Sequence, residues 1–270
     1  MKKIFIIVSL ILFTSCEEVV NVDLTTAAPR LVIDASINWE KGTSGSSQTI
    51  KLTTTTGYYQ PQIPKVSGAT VTVTNSSNTV FNFVETPNTG EYVCTNFVPV
   101  LNENYTLKVT YNGQSYTASE KLLPTPTILD VEQKNDLGLN NDEIGLKINF
   151  KDIVNQRNYY LFRVDSDLNA FPEYQYVDDQ FTDGNTMSWL YSHEDLVKDK
   201  KIYFTQYGVS ENYHNYIKLI INASAGANNG PFQTIPTKVR GNIINQTTEK
   251  NYALGYFRLC EIAKSDYTVK

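Results

Sequence analysis

The sequence predicts an all-β protein of two β-sandwich domains, the N-terminal one immunoglobulin-like and the C-terminal one carrying one packed amphipathic helix. Three observations predict it. Thr, Asn and Tyr are abundant, with 18 tyrosines against 2 methionines; Thr and Tyr suit half-exposed pleated strands and Asn suits the turns between them. Short runs alternate with period two: Leu107, Val109 and Tyr111 point one way while Thr106, Lys108 and Thr110 point the other, and Val71 and Val73 alternate with Thr70, Thr72 and Thr74. Turn signals recur between the runs, at Asn75-Ser-Ser-Asn78, Asn88-Thr-Gly90 and Asn112-Gly113, and Asn-Gly is a strong hairpin signal.

The chain opens on residues 1–15, read as a secretory signal peptide: Lys2 and Lys3, then an apolar run from Ile4 to Phe13 broken only by Ser9. Ten helical residues rise about 15 Å, half of a hydrocarbon core of roughly 30 Å, so the segment directs export without spanning. Phe13, Thr14 and Ser15 before Cys16 resemble a bacterial lipobox, with Phe13 where leucine is usual. Cys16 is therefore the expected lipidation site, and two or more acyl chains hold a protein stably at a membrane where one does not. Residues 16–29, without periodic pattern, read as the lipidated flexible tether.

Residues 30–122 hold seven β-like runs: LVIDASI, TIKLTTTT, ATVTV, TVFNFVE, EYVCTNF, YTLKVTY and SYTASEKL. Seven short strands in that span match the size of an immunoglobulin-like module. The two prolines of Lys121–Ile128, KLLPTPTI, interrupt pairing and set the expected boundary. The second domain, residues 123–270, begins with Leu146, Ile148 and Phe150 alternating with Lys147, Asn149 and Lys151. It continues through Tyr160, Phe162 and Val164, Met187 to Tyr191, and Ile202 to Tyr207. A helix is expected near 211–225: Ser210 can cap it, Tyr213, Tyr216, Ile217 and Ile220 recur at helical spacing, and Gly226 can close it. Its tyrosines read as core rather than as a ligand platform, and Cys260 to Lys270 read as a last strand.

Removal of residues 1–15 leaves 21 basic against 28 acidic side chains, a charge near −7. Such a surface repels phosphate backbones, and no Lys/Arg cluster reverses this locally, so nucleic-acid binding is not expected. Cys94 and Cys260 are expected as two separate buried thiols, with pairing in an oxidising compartment as the alternative that distance in sequence does not settle. With only His193 and His214 and no CxxC or HExxH, zinc is not expected. No GxSxG, GxGxxG or P-loop occurs, so neither a nucleophile nor a nucleotide cofactor is indicated, and the protein is read as non-catalytic and without cofactors. Asp178-Asp179 and Asp183-Gly184 offer a weak calcium reading on Asp179 and Asp183. Against it, Phe181 stands where a third oxygen is needed and no closing glutamate follows, so a turn with capping aspartates is preferred. A pair of carboxylates for glycoside hydrolysis is a spatial property and stays open. The feature most suggestive of binding is Gly57 to Lys65, where Tyr58 and Tyr59 offer rigid amphipathic area to a glycan, peptide or protein partner, or else pack over the sandwich end.

Taken together, the lipobox with Cys16, LVIDASI followed by TTTTGYYQPQIPKVSGATVTV, TGEYV, the DDQFTDG turn and GPFQTIPTKVRGNI leading to ALGYF resemble the Bacteroidota lipoproteins catalogued as domain of unknown function 4249. The resemblance covers nearly the whole chain. It implies an outer-membrane lipoprotein with an accessory role beside a TonB-dependent transporter, and it supplies no catalytic residues. Glu17 and Glu18 directly after Cys16 resemble the surface-export signal of Bacteroidota lipoproteins, which implies an anchor on the outer face of the outer membrane; the alternative is that the two glutamates only solubilise the linker. The expected function is thus a surface-anchored binding or accessory subunit; a glycan-binding module and, behind it, a polysaccharide- or peptide-acting hydrolase are the alternatives.

Overall fold

The computed structural model describes residues 27–57, 60–137, 143–224 and 239–270. The expected signal peptide, Cys16, Tyr58, Tyr59 and Gly226 lie outside the described residues. The fold is mainly β. In chain order the strands are β1 (Leu31–Glu40), β2 (Gln48–Thr54), β3 (Thr70–Asn75), β4 (Val80–Thr86), β5 (Glu91–Cys94), β6 (Asn104–Tyr111), β7 (Gln114–Lys121), β8 (Ile128–Leu137), β9 (Glu143–Lys151), β10 (Tyr159–Asp165), β11 (Glu173–Asp178), β12 (Thr186–Ser192) and β13 (Lys201–Val209). The helix α1 (Glu211–Ser224) and the strands β14 (Ile244–Asn245) and β15 (Leu254–Thr268) follow.

In the first sandwich β1, β2 and β5 form one layer and β3, β6 and β7 the other. Strand β4 changes layers along its length: Val80 to Phe83 pair with β3, and Val84 to Thr86 pair with β5. The alternation read from the sequence fixes which side chains meet. Ile33, Ile50 and Leu52 from one layer and Val73, Leu107 and Val109 from the other are fully buried in one core, while Thr106, Lys108 and Thr110 face water. Asn112 and Gly113 take φ of 47° and 71°, the two positive values that a two-residue type I′ hairpin between β6 and β7 requires.

The second sandwich sets β8, β9 and β12 against β10, β11, β13 and the end of β15. Leu146, Ile148 and Phe150 meet Tyr160, Phe162 and Phe204 in its core, with Trp189 between Phe162 and Phe204. Asn149 lies on the other face of β9 and is buried as well; its amide donates to Asp130 and Glu132 at 2.6 and 2.9 Å. Helix α1 covers the outer face of β10, β13 and β15. The Ser210 hydroxyl accepts the Tyr213 N–H at 3.2 Å as an N-cap, and Tyr213, Tyr216, Ile217 and Ile221 pack on Leu161, Tyr207, Tyr256 and Cys260.

Strand β15 decides how the two sandwiches join. Its first part, Leu254 to Ile262, pairs in parallel with β1, and its last part, Ile262 to Thr268, pairs antiparallel with β13. The expected division into 30–122 and 123–270 is therefore not followed by the cores: Ile243, Ala253, Phe257 and Leu259 are buried in the first core. The last strand also begins at Leu254 rather than at Cys260. The proline-containing connector does not run free in water. The Leu123 N–H donates to the Leu259 carbonyl, the Glu261 N–H donates to the Leu123 carbonyl at 2.8 Å, and the buried Glu261 carboxylate accepts the Thr125 N–H and pairs with Lys41 at 2.6 Å. A non-local parallel pairing leaves no mark in local periodicity, which is why the boundary read from Lys121–Ile128 missed it. Cys94 and Cys260 are both buried free thiols, one in the first core and the other under α1.

A second tie at the junction is titratable. Glu120, on β7, accepts hydrogen bonds from the Ser210 hydroxyl at 3.1 Å and the Tyr256 hydroxyl at 3.3 Å, yet burial pushes its carboxyl above the ordinary value. A raised folded-state pKa contributes stability that is fully present below the unfolded-state value, about 4.3, and is lost as pH rises through the folded-state value. The stability of the wild type relative to Glu120→Gln, read from denaturation midpoints at each pH, should therefore fall as pH rises from about 4 to about 8. Parallel curves for the two proteins would contradict the buried-acid account.

Candidate functional site

Period two on β1 sends Ile33, Ala35 and Ile37 into the first core and leaves Asp34, Ser36 and Asn38 on the opposite face. Period two on β15 does the same, with Phe257 and Leu259 inward and Tyr256, Arg258 and Cys260 outward. The parallel register sets Asp34 beside Tyr256, Ser36 beside Arg258, and Asn38 beside Cys260. These residues meet α1 and β10 in an open cleft of about 850 Å³, within the size range of small-molecule sites. One side is polar, with Asp34, Ser36, Asn38, Arg163 and Arg258; the other is apolar, with Leu161, Ile217, Ile220, Ile221 and Phe171.

Arg258 is the unusual group. It is 5% exposed, and its guanidinium carbon lies 5.0 Å from the ring centres of both Tyr207 and Tyr213. One Nη donates to the Cys260 sulfur at 2.6 Å, and Nε has no hydrogen-bond partner. Among the described residues no carboxylate stands within ion-pair distance of it. Desolvating a guanidinium is costly; two aromatic faces return about 1–2 kcal/mol each, and the Cys260 sulfur and Asp34 also favour the charge, which still lacks a directly bound carboxylate. The neighbouring charges keep their forms: Asp165 holds Arg163 by a fork of two bonds at 2.6 and 2.8 Å, and burial pushes the Tyr207 hydroxyl up to about 12, leaving it neutral. Asp34 is exposed at the mouth and accepts the Ser36 hydroxyl at 2.9 Å.

The structure brings Asp179 and Asp183 together and adds Asp152, all three with carboxylate oxygens within 4.8 Å of one another. The expectation that Phe181 withholds a third oxygen is corrected. Phe181 is 88% exposed, and the third carboxylate arrives from the loop after β9, which the sequence spacing could not reveal. Three carboxylates are the donor set a hard cation takes. Each, however, already serves the two loops. Tyr160 donates to Asp152 at 2.5 Å and the Gly184 N–H to its other oxygen, the Asn158 N–H donates to Asp179 at 2.8 Å, and the Asn155 N–H donates to Asp183 at 3.0 Å. Arg157 stands 3.5 Å from the remaining Asp179 oxygen, and burial pushes that carboxyl up. The cluster clasps the end of the second sandwich and does not line the cleft.

Of the histidines, His214 is buried against the rings of Tyr159 and Tyr176, and burial pushes its imidazole below the ordinary value, so it stays neutral. His193 accepts the Asp195 N–H at 3.1 Å. Sequence reading missed Arg258 and Asp34, although one signal was present: Arg258 and Glu261 are two charges inside the otherwise mostly apolar stretch Tyr256 to Ala263, where a strand buried on both faces seldom carries charge.

Among solved structures the chain overlaps a DUF4785 family protein of Legionella pneumophila at 12% identity and a TM-score of 0.27, spanning 66% of this chain and about half (52%) of that one. It overlaps a two-domain fibronectin type-III segment of chicken tenascin at 11% identity and a TM-score of 0.23, covering 67% and 90%. It also overlaps the FN1–FN3 domains of chicken CNTN1 at 17% identity and a TM-score of 0.26, covering 67% and 60%. No curated protein matches the sequence. Residues 17–266, which include both sandwiches, the cleft and nearly all of β15, match one family model, and the chain belongs to that family, Domain of unknown function (DUF4249).

Proposed function

We propose that the mature protein is a lipid-anchored protein of the outer-membrane surface that binds rather than catalyses, acting as an accessory subunit beside a TonB-dependent transporter, with the junctional cleft as its ligand-binding element. The observation that carries the binding half is the cleft itself: an open, half-apolar site holding a buried guanidinium with no carboxylate partner. The seam formed by β15 supports the reading further, because a site assembled from two sandwiches keeps its shape only where the sandwiches are joined. The anchor half rests on the apolar leader and Cys16. Among the described residues no helix is long and apolar enough to cross a membrane, so attachment by a helix would have to come from elsewhere in the chain.

Crosslinking in native membranes followed by affinity capture should recover an outer-membrane barrel with the wild type, and labelled palmitate should enter the wild type but not Cys16→Ala. Capture that returns no barrel removes the transporter half of the proposal. Absence of label in the wild type removes the anchor.

A further inference from the structure

We propose that the cleft takes a singly charged carboxylate borne on an apolar body, the carboxylate meeting the Arg258 guanidinium and the apolar part lying along Ile217, Ile220 and Phe171. The inference deepens the binding role given above and rests on it. Four features of the site carry it. The guanidinium lines the cleft, is nineteen-twentieths buried, and forms no ion pair with a carboxylate among the described residues, so a bound carboxylate would supply the direct countercharge that the fold leaves out. The rings of Tyr207 and Tyr213 flank it at 5.0 Å and put apolar area beside the charge, which strengthens any ion pair formed there. Opposite, α1 turns Ile217, Ile220 and Ile221 to the cleft, while Phe171 beside them is 82% exposed, an apolar wall that water covers at a cost. Finally, Asp34 stands at the mouth. It tolerates one ligand charge placed deep on Arg258 but repels a second, which selects a monoanion over a phosphate monoester.

Two sources offer this chemistry, a fatty acid and the C-terminal carboxylate of an apolar peptide, and the same titration separates them. The protein is residues 16–270 carrying Cys16→Ala, so that no acyl anchor competes. Calorimetric titrations use decanoate, decanamide, decyl phosphate, and N-acetyl-Leu-Phe as the free acid and as the amide. The expected result is binding of at least one free acid, loss of binding by its amide, and weaker binding of decyl phosphate than of decanoate. Preference for decanoate or for the peptide acid names the source. Arg258→Met should weaken the preferred acid at least about 30-fold. Asp34→Asn, at an exposed position, should strengthen it about 2- to 5-fold and narrow the gap to decyl phosphate. Because Arg258→Met empties a buried position, Ile220→Glu provides the second arm: it places a like charge on the half-exposed wall and should abolish acid binding while leaving the melting curve in place.

Equal affinity for acids and amides, or unchanged affinity in both Asp34→Asn and Ile220→Glu, overturns the inference. Failure here and failure of the accessory role are distinguishable. A barrel captured by crosslinking together with no acid binding leaves the accessory role and removes this ligand, whereas acid binding without a barrel does the reverse.

Discussion

A fragment ending at residue 122 will not fold, although those residues contain all seven strands that the sequence assigns to the first domain. In the intact chain, Ile243, Phe257 and Leu259 close that core, exposed by 6%, 0% and 1% respectively. Each buried side chain of this kind contributes about 1.5–3 kcal/mol, so their loss removes roughly 5–9 kcal/mol. That is comparable with the whole net stability of a small domain, about 5–15 kcal/mol. Loss of β15 also strips β1 of its parallel partner from Val32 to Glu40 and leaves a long unpaired edge. Residues 30–122 expressed alone should therefore lack a cooperative thermal transition and bind a hydrophobic dye, while residues 27–270 melt cooperatively. A sharp, reversible transition in the short fragment would show that the seam is an addition to the first sandwich and not part of it.

The second large effect concentrates on one atom. Gly255 sits opposite Ile33 in the parallel register with φ of 94°, and a Cβ there would lie 2.0 Å from the Ile33 carbonyl oxygen. Gly42 has a similar φ of 81° with nothing within 4 Å of a Cβ. Gly42→Ala should cost only the left-handed backbone penalty, about 1–2 kcal/mol. Gly255→Ala must in addition push β1 and β15 apart, and should cost about 4 kcal/mol or more, among the largest single-residue effects. Guanidinium chloride denaturation of both variants compares them directly. Equal costs would mean that the close approach of the two strands is relaxed without loss, and that the seam does not depend on glycine.

The charge at the cleft follows from the same seam. Arg258 faces α1 because Phe257 and Leu259 are claimed by the first core, and Asp34 faces the same way because Ile33 and Ala35 are claimed likewise. Neither residue has local context that marks it. The turns are different. Asn75 to Asn78, Asn88 to Gly90 and Asn112-Gly113 were legible because the need for a positive φ is met by the residue itself, and Asn78, Asn88, Gly90, Asn112 and Gly113 all adopt one. The N-cap at Ser210 was legible for the same reason, since the cap and the first turn are neighbours in sequence. The acidic cluster shows the limit of such reading. Asp179 and Asp183 are close in sequence and were seen, but Asp152 joins them across a sandwich end.

The amino-acid sequence by itself determined what depends on near neighbours: strands from period-two burial, hairpins from Asn and Gly, one helix from its cap and stripe, and the family from the whole pattern. Tertiary structure alone decided what depends on residues more than 200 apart. The second neighbour of β1 is a strand more than 200 residues away, the two sandwiches share that strand, and a guanidinium held by a sulfur and two rings but by no carboxylate is carried to a cleft. The physical reason is that strand pairing joins main-chain groups, which every residue carries alike. Side-chain pattern tells a strand which face to bury, and it does not tell the strand beside which other strand it will lie.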